Sequence, residues 1–554
     1  MNFIANESPT KLRGGYYTDP QIAAFLTRWV SKIRPQSILE PSCGDGVFIS
    51  SIAKNINGAL KNVSAIDVEP SELKKAASHR HLFRKDVRLN FVQEDFLEWV
   101  IKNPSDAHPF DAVVGNPPFI RYQYLLDEQQ VLAEKIFAQL KLPFTKHTNA
   151  WVPFVLASIK LLRPGGRIAM VVPSEILHIP HAQSLRRYLA EQCSRVLLLD
   201  PKELWFSNTL QGTVLLLAEK KRSLSEKGRG VAIVPTVSRQ MLSIDPEVLF
   251  QQATYTNGVT IEGKWMPVFL SFRERSLLSQ LKAQKDIKSF SEVASVDVGI
   301  VTGANKFFLV PHNTVEEFSL TRWAHPMFGR SDHVNGLIYS KEDHKKNRAI
   351  GLPTNFLWFQ EEQIKKLPEN VRRYLSVGLR QSLHTRYKCR TRMPWYKVPS
   401  VYSAPIAMLK RAHHYPRLVL NRADVYTTDT AYRICPIEVR AETLVFGFVN
   451  SLTCLTAEIE GRHYGGGVLE LVPSEIEKLL IPIIKTTTAD LNTADKNFRN
   501  AQDASAFLSA QDTLVLGQIG LTKGEQKTLH DAWLKFRDRR HRLPSSNEKD
   551  EVTV

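Results

Sequence analysis

A corner of four residues, Asn116 to Phe119, has side chains and carbonyls that could hold a reacting group. It follows the apolar run "FDAVVG" and consists of Asn-Pro-Pro-Phe. Two consecutive prolines donate no N–H and keep the chain out of a helix, so some carbonyls of the corner can accept external hydrogen bonds. The amide oxygen of Asn116 and the carbonyl of Pro117 could therefore hold an –NH₂ group from two sides, beside the ring of Phe119. A rigid turn with a capping asparagine is the alternative.

A second motif, "EPSCGDG", ends an earlier apolar run. Gly44 and Gly46 suit a tight turn that lets a ligand approach the backbone before a helix begins. The motif is not the dinucleotide fingerprint, because position 49 is isoleucine where a third glycine belongs. A carboxylate at Glu40 would repel a pyrophosphate but suits an ammonium group, such as that of S-adenosylmethionine (AdoMet). Together with Pro41 and Ser42, these residues predict a cofactor loop.

Acidic residues end the next two apolar runs. Asp67 in "AIDVEP" occupies the place where a carboxylate commonly binds ribose hydroxyls. Asp95 in "QEDF" could accept a hydrogen bond from an adenine N6, with Phe96 and Val68 packed on the ring. A helix cap is the alternative for each acid. Their order, each at the carboxyl end of a successive strand, predicts one ligand crevice at the edge of an open α/β sheet.

Alternating short apolar runs and amphipathic runs from about residue 35 to 220 predict the elements that position these residues. Seven runs have the character of buried strands: "SILEPS", "VSAIDVE", "LNFVQED", "FDAVVGN", "RIAMVVPS", "RVLLLD" and "TVLLLAE". Three others have helical spacing: "QIAAFLTRWVSKI", "VFISSIAKNI" and "AWVPFVLASIKLL". The alternation predicts a doubly wound, mostly parallel sheet. The charged run from Glu219 to Gly230 is interpreted as a linker or an exposed loop.

Composition limits the protein class. A chain of 554 residues predicts two or three domains, and a net charge of +17 with a pI near 9.5 predicts a polyanionic partner, most simply nucleic acid. No apolar run approaches the ~18 residues of a membrane span, and the first residues lack a signal-peptide core. Five widely spaced cysteines without a CxxC pattern indicate reduced thiols and no zinc knuckle. We therefore expect a cytoplasmic protein with no metal and no membrane contact.

In this order, "EPSCGDG", "AIDVEP", "QEDF" and "GNPPF" resemble the motifs of amino-group DNA methyltransferases, most closely N6-adenine enzymes of the γ arrangement. "GGYYTD", with Tyr17 and Thr18, resembles the motif that closes over the methionine moiety. "TNAWVPFVLASIKLLRPGG" resembles the helix whose aromatic residue, Phe154, packs on the cofactor adenine. "WFSNTLQGTVLLL" resembles the motif whose aromatic residue, Phe206, stacks on an extruded base, with core packing as the alternative. The family more often has tyrosine where Phe119 stands, and phenylalanine keeps the π-face.

The resemblance implies a function and a domain plan. It implies methyl transfer from AdoMet to the N6 of a flipped-out adenine in double-stranded DNA, with Asn116, Pro117, Phe119 and Phe206 at the reacting base. A Rossmann-like catalytic domain would occupy residues 1–245. A mixed α+β target-recognition domain with a basic tail would occupy residues 246–554. The implied enzyme is a monomeric modification enzyme of a restriction-modification system whose endonuclease would act independently.

Residues 365–422 hold 14 basic residues against one acidic residue, with interleaved aromatic side chains. A solvated surface is the alternative, but such an imbalance repels itself without a counter-charge, which favours contact with phosphates. The predicted DNA-binding residues are Arg386, Lys388, Arg390, Arg392, Lys397, Lys410 and Arg411. The residues that read bases cannot be chosen from one sequence.

Other activities stay open at this point. The same catalytic corner could act on cytosine N4, on adenine in RNA or on a protein glutamine amide. The long basic C-terminal half disfavours a protein substrate, and asparagine rather than serine before the prolines favours adenine over cytosine. An inactive methyltransferase-like DNA-binding protein is the non-enzymatic alternative. A fused nuclease is not expected ahead of residue 14.

Overall fold

The structure is a computed structural model that describes residues 17–56, 58–103, 110–203, 205, 212–223, 225–256, 263–464 and 466–542. The chain divides into two compact units. The first unit comprises Met1–Ser271 with Arg542–Val554, and the second comprises Phe272–His541.

An eight-stranded sheet forms the centre of the first unit. Its strands are β1 Ser37–Glu40, β2 Asn62–Asp67, β3 Arg88–Gln93, β4 Phe110–Gly115, β5 Leu162–Pro173, β6 Cys193–Pro201, β7 Thr213–Lys220 and β8 Gly230–Val237. Their order across the sheet is β3-β2-β1-β4-β5-β7-β6-β8. The first five strands in this order, β3, β2, β1, β4 and β5, pair in parallel. Strand β7 runs antiparallel to both β5 and β6, and β8 is parallel to β6. The carboxyl ends of β1 to β4 therefore meet at one edge of the sheet.

Eight α-helices in the described part of this unit accompany the sheet. They are α1 Pro20–Ser31, α2 Val47–Asn55, α3 Pro70–Ser78, α4 Phe96–Lys102, α5 Asp127–Gln139, α6 Trp151–Leu161, α7 Gln183–Gln192 and α8 Pro246–Gln252. Local sequence sets their starts: Asp19 caps α1 ahead of a proline, and Asp95 caps α4 by accepting from the N–H groups of Leu97 and Glu98 at 2.8 and 3.2 Å. The seven predicted strands, the three predicted helices and the doubly wound fold class are confirmed.

Two predictions about the organisation of the chain are corrected. Of the two interpretations of the charged run from Glu219 to Gly230, the exposed loop is confirmed and the linker between domains is wrong, because the run connects β7 to β8, a strand that the sequence analysis missed. The first unit also extends to Ser271 rather than to residue 245. Helix α8 belongs to it because the buried guanidinium of Arg167, on β5, bonds to Glu247 at 2.6 Å.

The second unit is a mixed α+β assembly, as predicted. Its helices are α9 Phe272–Lys282, α10 Phe290–Val293, α11 Asn305–Phe308, α12 His312–Glu317, α13 Lys341–Ala349, α14 Glu369–Arg380, α15 Tyr387–Arg390, α16 Ala441–Phe448, α17 Ser451–Glu460, α18 Pro473–Ile476, α19 Thr488–Asn500, α20 Ala504–Val515 and α21 Lys523–Arg540. Its strands are β9 Ile287–Ser289, β10 Ala294–Val298, β11 Leu309–Val310, β12 Ala324–Phe328, β13 Ile338–Tyr339, β14 Asn355–Leu357, β15 Ile406–Leu409, β16 Arg411–Ala412, β17 Leu418–Asn421, β18 Tyr426–Thr427, β19 Ala431–Pro436, β20 Arg462–Tyr464, β21 Val468–Glu470 and β22 Leu480–Pro482.

These strands form small sheets, of which the largest has the order β10-β19-β15-β17-β13. A core of aromatic and aliphatic side chains around Phe308, Phe356 and Tyr374 fills part of this unit. Near the C-terminus, the part of the predicted basic tail up to Arg540 belongs to the helix α21, and residues 543–554 lie outside the described residues.

Candidate functional site

A cavity of about 490 Å³ opens at the edge of the sheet where β1 to β4 end. Such edges of open α/β sheets commonly bind ligands. Residues from the cofactor loop, from the ends of β2 and β3 and from the catalytic corner line it together. The crevice predicted from the order of the motifs is therefore present.

The cofactor loop supplies Pro41, Ser42 and Gly44 to the cavity wall. The N–H of Gly44 donates to the Asp67 carboxylate at 2.9 Å, which fixes the loop against the end of β2. Gly46 does not line the cavity and has a φ of +85°. A Cβ there would lie 2.6 Å from a backbone atom of α3, so glycine is needed for the loop to pass this helix.

Carboxylates and apolar side chains line the wall formed by β2 and β3. Asp67 and Val68 follow β2, and Asp95 and Phe96 follow β3. Burial raises the pKa of the Asp95 carboxyl, whose Oδ1 accepts both capping hydrogen bonds of α4. Phe154 of α6 also lines the cavity, and its ring centroid lies 5.2 Å from that of Phe96. The wall thus combines acceptors with flat apolar surfaces, as a purine nucleoside requires.

Glu40 lies at the end of β1 beneath this wall. It is fully buried and does not itself line the cavity, although the next two residues do. Neither carboxylate oxygen has a hydrogen-bond partner among the described residues. Burial, and then the negative charges of Asp45 and Asp67, hold the pKa of Glu40 well above its ordinary value. A buried acid without a partner is costly, so Glu40 is suited to a cationic group that arrives with a ligand.

The catalytic corner follows β4 and reaches the same cavity through Asn116 and Pro118. The Ser42 hydroxyl donates to the Asn116 carbonyl at 3.0 Å, and the Asn116 amide Nδ2 donates to Thr18 Oγ1 at 3.2 Å. Pro117 is buried, and no described residue donates a hydrogen bond to its carbonyl oxygen. Phe119 is half-buried against the core of the first unit. The corner thus brings an oriented amide to the cavity.

The remaining sequence-predicted positions are placed as follows. Tyr17 lines the cavity, and its hydroxyl donates to Glu72 Oε1 at 3.2 Å. Thr18 is buried and lines no part of the cavity. Phe206 lies outside the described residues. Cys43 packs in the core and burial raises the pKa of its thiol, which is unsuitable for a nucleophile.

The sequence analysis missed two groups of lining residues. One is acidic, because Glu69, Glu72 and Glu94 join the two aspartates at the cavity. These glutamates could have been found from their nearness to the predicted aspartates. The other group is an apolar wall at the start of α5 that includes Leu125 and Leu126, for which no local motif exists. No lysine, arginine or histidine of the described residues lines the cavity.

Four of the seven predicted DNA-binding cations bond to the second unit itself. The pairs are Lys397 with Glu362, Lys410 and Arg411 with Glu470, and Arg392 with the carbonyls of Val301 and Thr302. Both glutamates lie outside residues 365–422. The argument that this segment lacks counter-charges is therefore corrected, since residues distant in sequence supply them.

Arg386, Lys388 and Arg390 differ from those four cations. They are exposed and form no ion pair within the described parts of the chain. They surround Tyr387, which is 65% exposed, and the Lys388 ammonium and the Arg390 guanidinium lie 5.6 and 5.5 Å from its ring centroid. We call these four residues the Tyr387 cluster. It combines cations with a flat ring, a pairing that suits nucleic acid.

The first unit has a Rossmann-like fold with a cavity at the carboxyl ends of its parallel strands. The sequence profile of the N-6 DNA Methylase family matches residues 1–309, and that of the C-terminal domain of type II methyltransferase M.Eco57I matches residues 262–516. Because the first match covers more than half of the chain, the protein belongs to the N-6 DNA methylase family. The family recognised from the sequence motifs is confirmed.

Individual relatives agree with this assignment. The chain is 23% identical to type II methyltransferase M.AccI of Acinetobacter calcoaceticus, over 84% of each sequence. It is 23% identical to type II methyltransferase M.XamI of Xanthomonas campestris pv. amaranthicola, over 86% of each. Among solved structures, the type IIG restriction endonuclease BpuSI is 13% identical with a TM-score of 0.42, over 96% of this chain and 67% of that chain. No helix in the described part of the chain is long and apolar enough to cross a bilayer.

Proposed function

We propose that the protein transfers a methyl group from AdoMet to the N6 atom of an adenine that is flipped out of duplex DNA. The observation that carries this proposal is that Asn116 lines the same cavity as Asp67 and Asp95. We further propose that it acts within a specific sequence, as the modification enzyme of a restriction-modification system. Catalysis then belongs to the first unit and target recognition to the second.

The residues of the cavity fit AdoMet. The buried carboxylate of Glu40 has no hydrogen-bond partner among the described residues and suits the ammonium group of the methionine moiety. Asp67 suits ribose hydroxyls, and Asp95 with Phe96 and Phe154 suits an adenine. When bound, AdoMet supplies an electrophilic methyl group on a sulfonium sulfur. The absence of cations from the described lining supports this ligand over a dinucleotide.

The corner residues act on the target amine. The N6 lone pair of adenine is delocalised into the ring, which makes the nitrogen a poor nucleophile. Asn116 Oδ1 and the Pro117 carbonyl each accept a hydrogen bond from one N6 hydrogen and draw the nitrogen toward a pyramidal geometry. Positive charge develops on N6 as its bond to the methyl group forms and the bond from sulfur to the methyl group breaks, so both hydrogen bonds strengthen in the transition state. One N6 proton is then lost to water. Phe119 and Phe206 stack on the extruded base, since N6 cannot be reached inside a duplex.

Sequencing that detects modified bases, in DNA from cells that express the chain, tests the proposal. We expect N6-methyladenine at one recurring sequence and none in cells that express the Asn116→Ala variant. N4-methylcytosine at such a sequence, or methylated adenine confined to RNA, would replace the proposed substrate. If no nucleic acid is methylated although the protein binds AdoMet, the enzymatic proposal fails.

We propose that the Tyr387 cluster contacts DNA phosphates. Its three cations are exposed and, within the described residues, lack ion pairs of their own. Each phosphate contact releases condensed counterions, so affinity falls as salt concentration rises.

Replacing Arg386, Lys388 and Arg390 together by glutamine should make the salt dependence shallower. The magnitude of the negative slope of log affinity against log salt concentration should fall by up to about 3, at about 0.9 per phosphate contact. Fluorescence anisotropy with labelled duplex over a range of salt concentrations measures this slope. The matched control replaces the exposed Lys341, Lys345 and Lys346 of α13 by glutamine. Equal slopes for the cluster variant and the unmodified protein would remove the cluster from the interface.

A further inference from the structure

We propose that Thr18 is a positioning residue for catalysis that holds the amide of Asn116 in the orientation that accepts the target amine. This inference rests on the proposed function. It differs from the role that the family resemblance implies for Thr18, which is contact with the cofactor.

The placement of Thr18 favours this role. Only 6% of Thr18 is exposed, and it does not line the cavity, whereas its neighbour Tyr17 does. Its Oγ1 atom accepts a hydrogen bond from Asn116 Nδ2 at 3.2 Å. The Thr18 hydroxyl is thus in direct hydrogen-bond contact with the catalytic corner.

Both neighbours of Thr18 are anchored. The Tyr17 hydroxyl donates to Glu72 on α3 at 3.2 Å. The Asp19 carboxylate accepts from the N–H of Gln21 and from the Arg239 guanidinium, each at 2.7 Å. These bonds hold the short segment from Tyr17 to Asp19 against three different parts of the first unit. The Thr18 hydroxyl therefore has a stiff support, as an effective positioning group requires.

The bond to Thr18 helps to hold the amide with its Nδ2 end away from the base. The Ser42 hydroxyl holds the backbone carbonyl of Asn116 at 3.0 Å, and rotation about the side-chain torsions sets the orientation of the amide. With Nδ2 donating to Thr18, Oδ1 is the end that can accept from N6. A reversed amide would present an –NH₂ group to another –NH₂ group, which prevents the hydrogen bond that catalysis uses. Fixing the amide in advance avoids reorganisation during the reaction.

Thr18→Val and Thr18→Ser test this role, because valine keeps the shape of threonine and removes the hydroxyl, whereas serine keeps the hydroxyl. With AdoMet and DNA both saturating, we expect Thr18→Val to lower the single-turnover methyl-transfer rate by between about 10-fold and about 100-fold. Thr18→Ser should recover most of that loss. AdoMet affinity, measured by calorimetry, should stay within about twofold in both variants. The reason is that the hydroxyl acts through Asn116 in the transition state and does not contribute to ground-state binding of the cofactor.

A buried threonine elsewhere in the first unit supplies the matched control. Thr27 on α1 is fully buried, and its hydroxyl bonds to the Ala23 carbonyl and to Ser51 at 2.9 and 2.7 Å. Thr27→Val also deletes a buried hydroxyl, so it should lower thermal stability without lowering the saturated rate. A rate loss in this control equal to that of Thr18→Val would show that general destabilisation explains the effect.

Three other results would overturn the inference. They are an unchanged rate in Thr18→Val, an equal loss in the valine and serine variants, and a loss that higher AdoMet concentration fully restores. The third result would return Thr18 to the cofactor-binding role. If instead the unmodified protein methylates no nucleic acid, the proposed function itself fails.

Discussion

Replacing Asn116 by alanine should lower the methyl-transfer rate by on the order of 1,000-fold, because it removes an acceptor that acts most strongly in the transition state. AdoMet affinity should change by no more than about twofold, since a group that acts only in the transition state contributes little to ground-state binding. Single-turnover transfer of a labelled methyl group and calorimetric titration with AdoMet measure the two quantities separately.

Asn116→Asp is the informative companion variant. Aspartate keeps an acceptor oxygen near the target amine but loses the Nδ2 donor that bonds to Thr18. We therefore expect a rate between those of the alanine variant and the unmodified protein. Alanine and aspartate variants with equal rates would contradict the acceptor role of Oδ1. A parallel loss of AdoMet affinity in Asn116→Ala would assign Asn116 to the cofactor instead.

Glu40→Gln should weaken AdoMet binding by between about 10-fold and about 100-fold, the range expected when a hydrogen bond loses its charged partner. The reason is the fully buried carboxylate, which has no hydrogen-bond partner among the described residues and is suited to an ammonium group. Glutamine has nearly the same shape and one acceptor oxygen, so the change isolates the charge. Glu128→Gln, at an exposed position on α5, is the control and should leave affinity unchanged.

The same substitution should stabilise the protein in the absence of AdoMet. Burial raises the pKa of Glu40, so the folded state keeps this proton to a higher pH than the unfolded state does. Folding stability then falls as pH rises from about 4.3, the ordinary glutamate pKa, through the raised folded pKa. Glu40→Gln removes that pH dependence. At pH values above this range, the variant should therefore have a higher melting temperature than the unmodified protein. Thermal melts over a pH series, without ligand, measure the effect.

Binding of AdoMet should also release a proton from Glu40 when pH lies below its raised pKa. The ammonium group favours the charged carboxylate and lowers the pKa again. Calorimetry in buffers of different ionisation heat counts these protons, and the count should fall in Glu40→Gln. An unchanged affinity in this variant, or a melting curve that keeps the same pH dependence, would contradict the role assigned to Glu40.

Local sequence was sufficient to predict the sheet edge and the crevice along it. Runs such as the one that forms β4 are largely apolar because both faces of a central parallel strand are buried. Each such run ends in a turn signal, and parallel strands place those ends at a common edge. The crevice therefore followed from a few short motifs. The same reasoning missed β8, which follows the charged run that was interpreted as a linker or an exposed loop.

Properties that depend on residues distant in sequence needed the tertiary structure. Helix α8 is joined to the sheet of the first unit by contacts such as the bond of Arg167 to Glu247, 80 residues away. The surroundings of Lys410 and Arg411 depend on Glu470, on a strand that pairs with their own segment.

The catalytic corner shows the same difference between what the local sequence determines and what the tertiary structure determines. The sequence by itself determined that an amide and a proline carbonyl follow β4, since these are chemical properties of four consecutive residues. Only the tertiary structure showed that the Nδ2 end of this amide donates to Thr18, 98 residues earlier. Hydrogen bonds of side chains require distances near 3 Å, and no local pattern specifies which distant segment the fold brings that close.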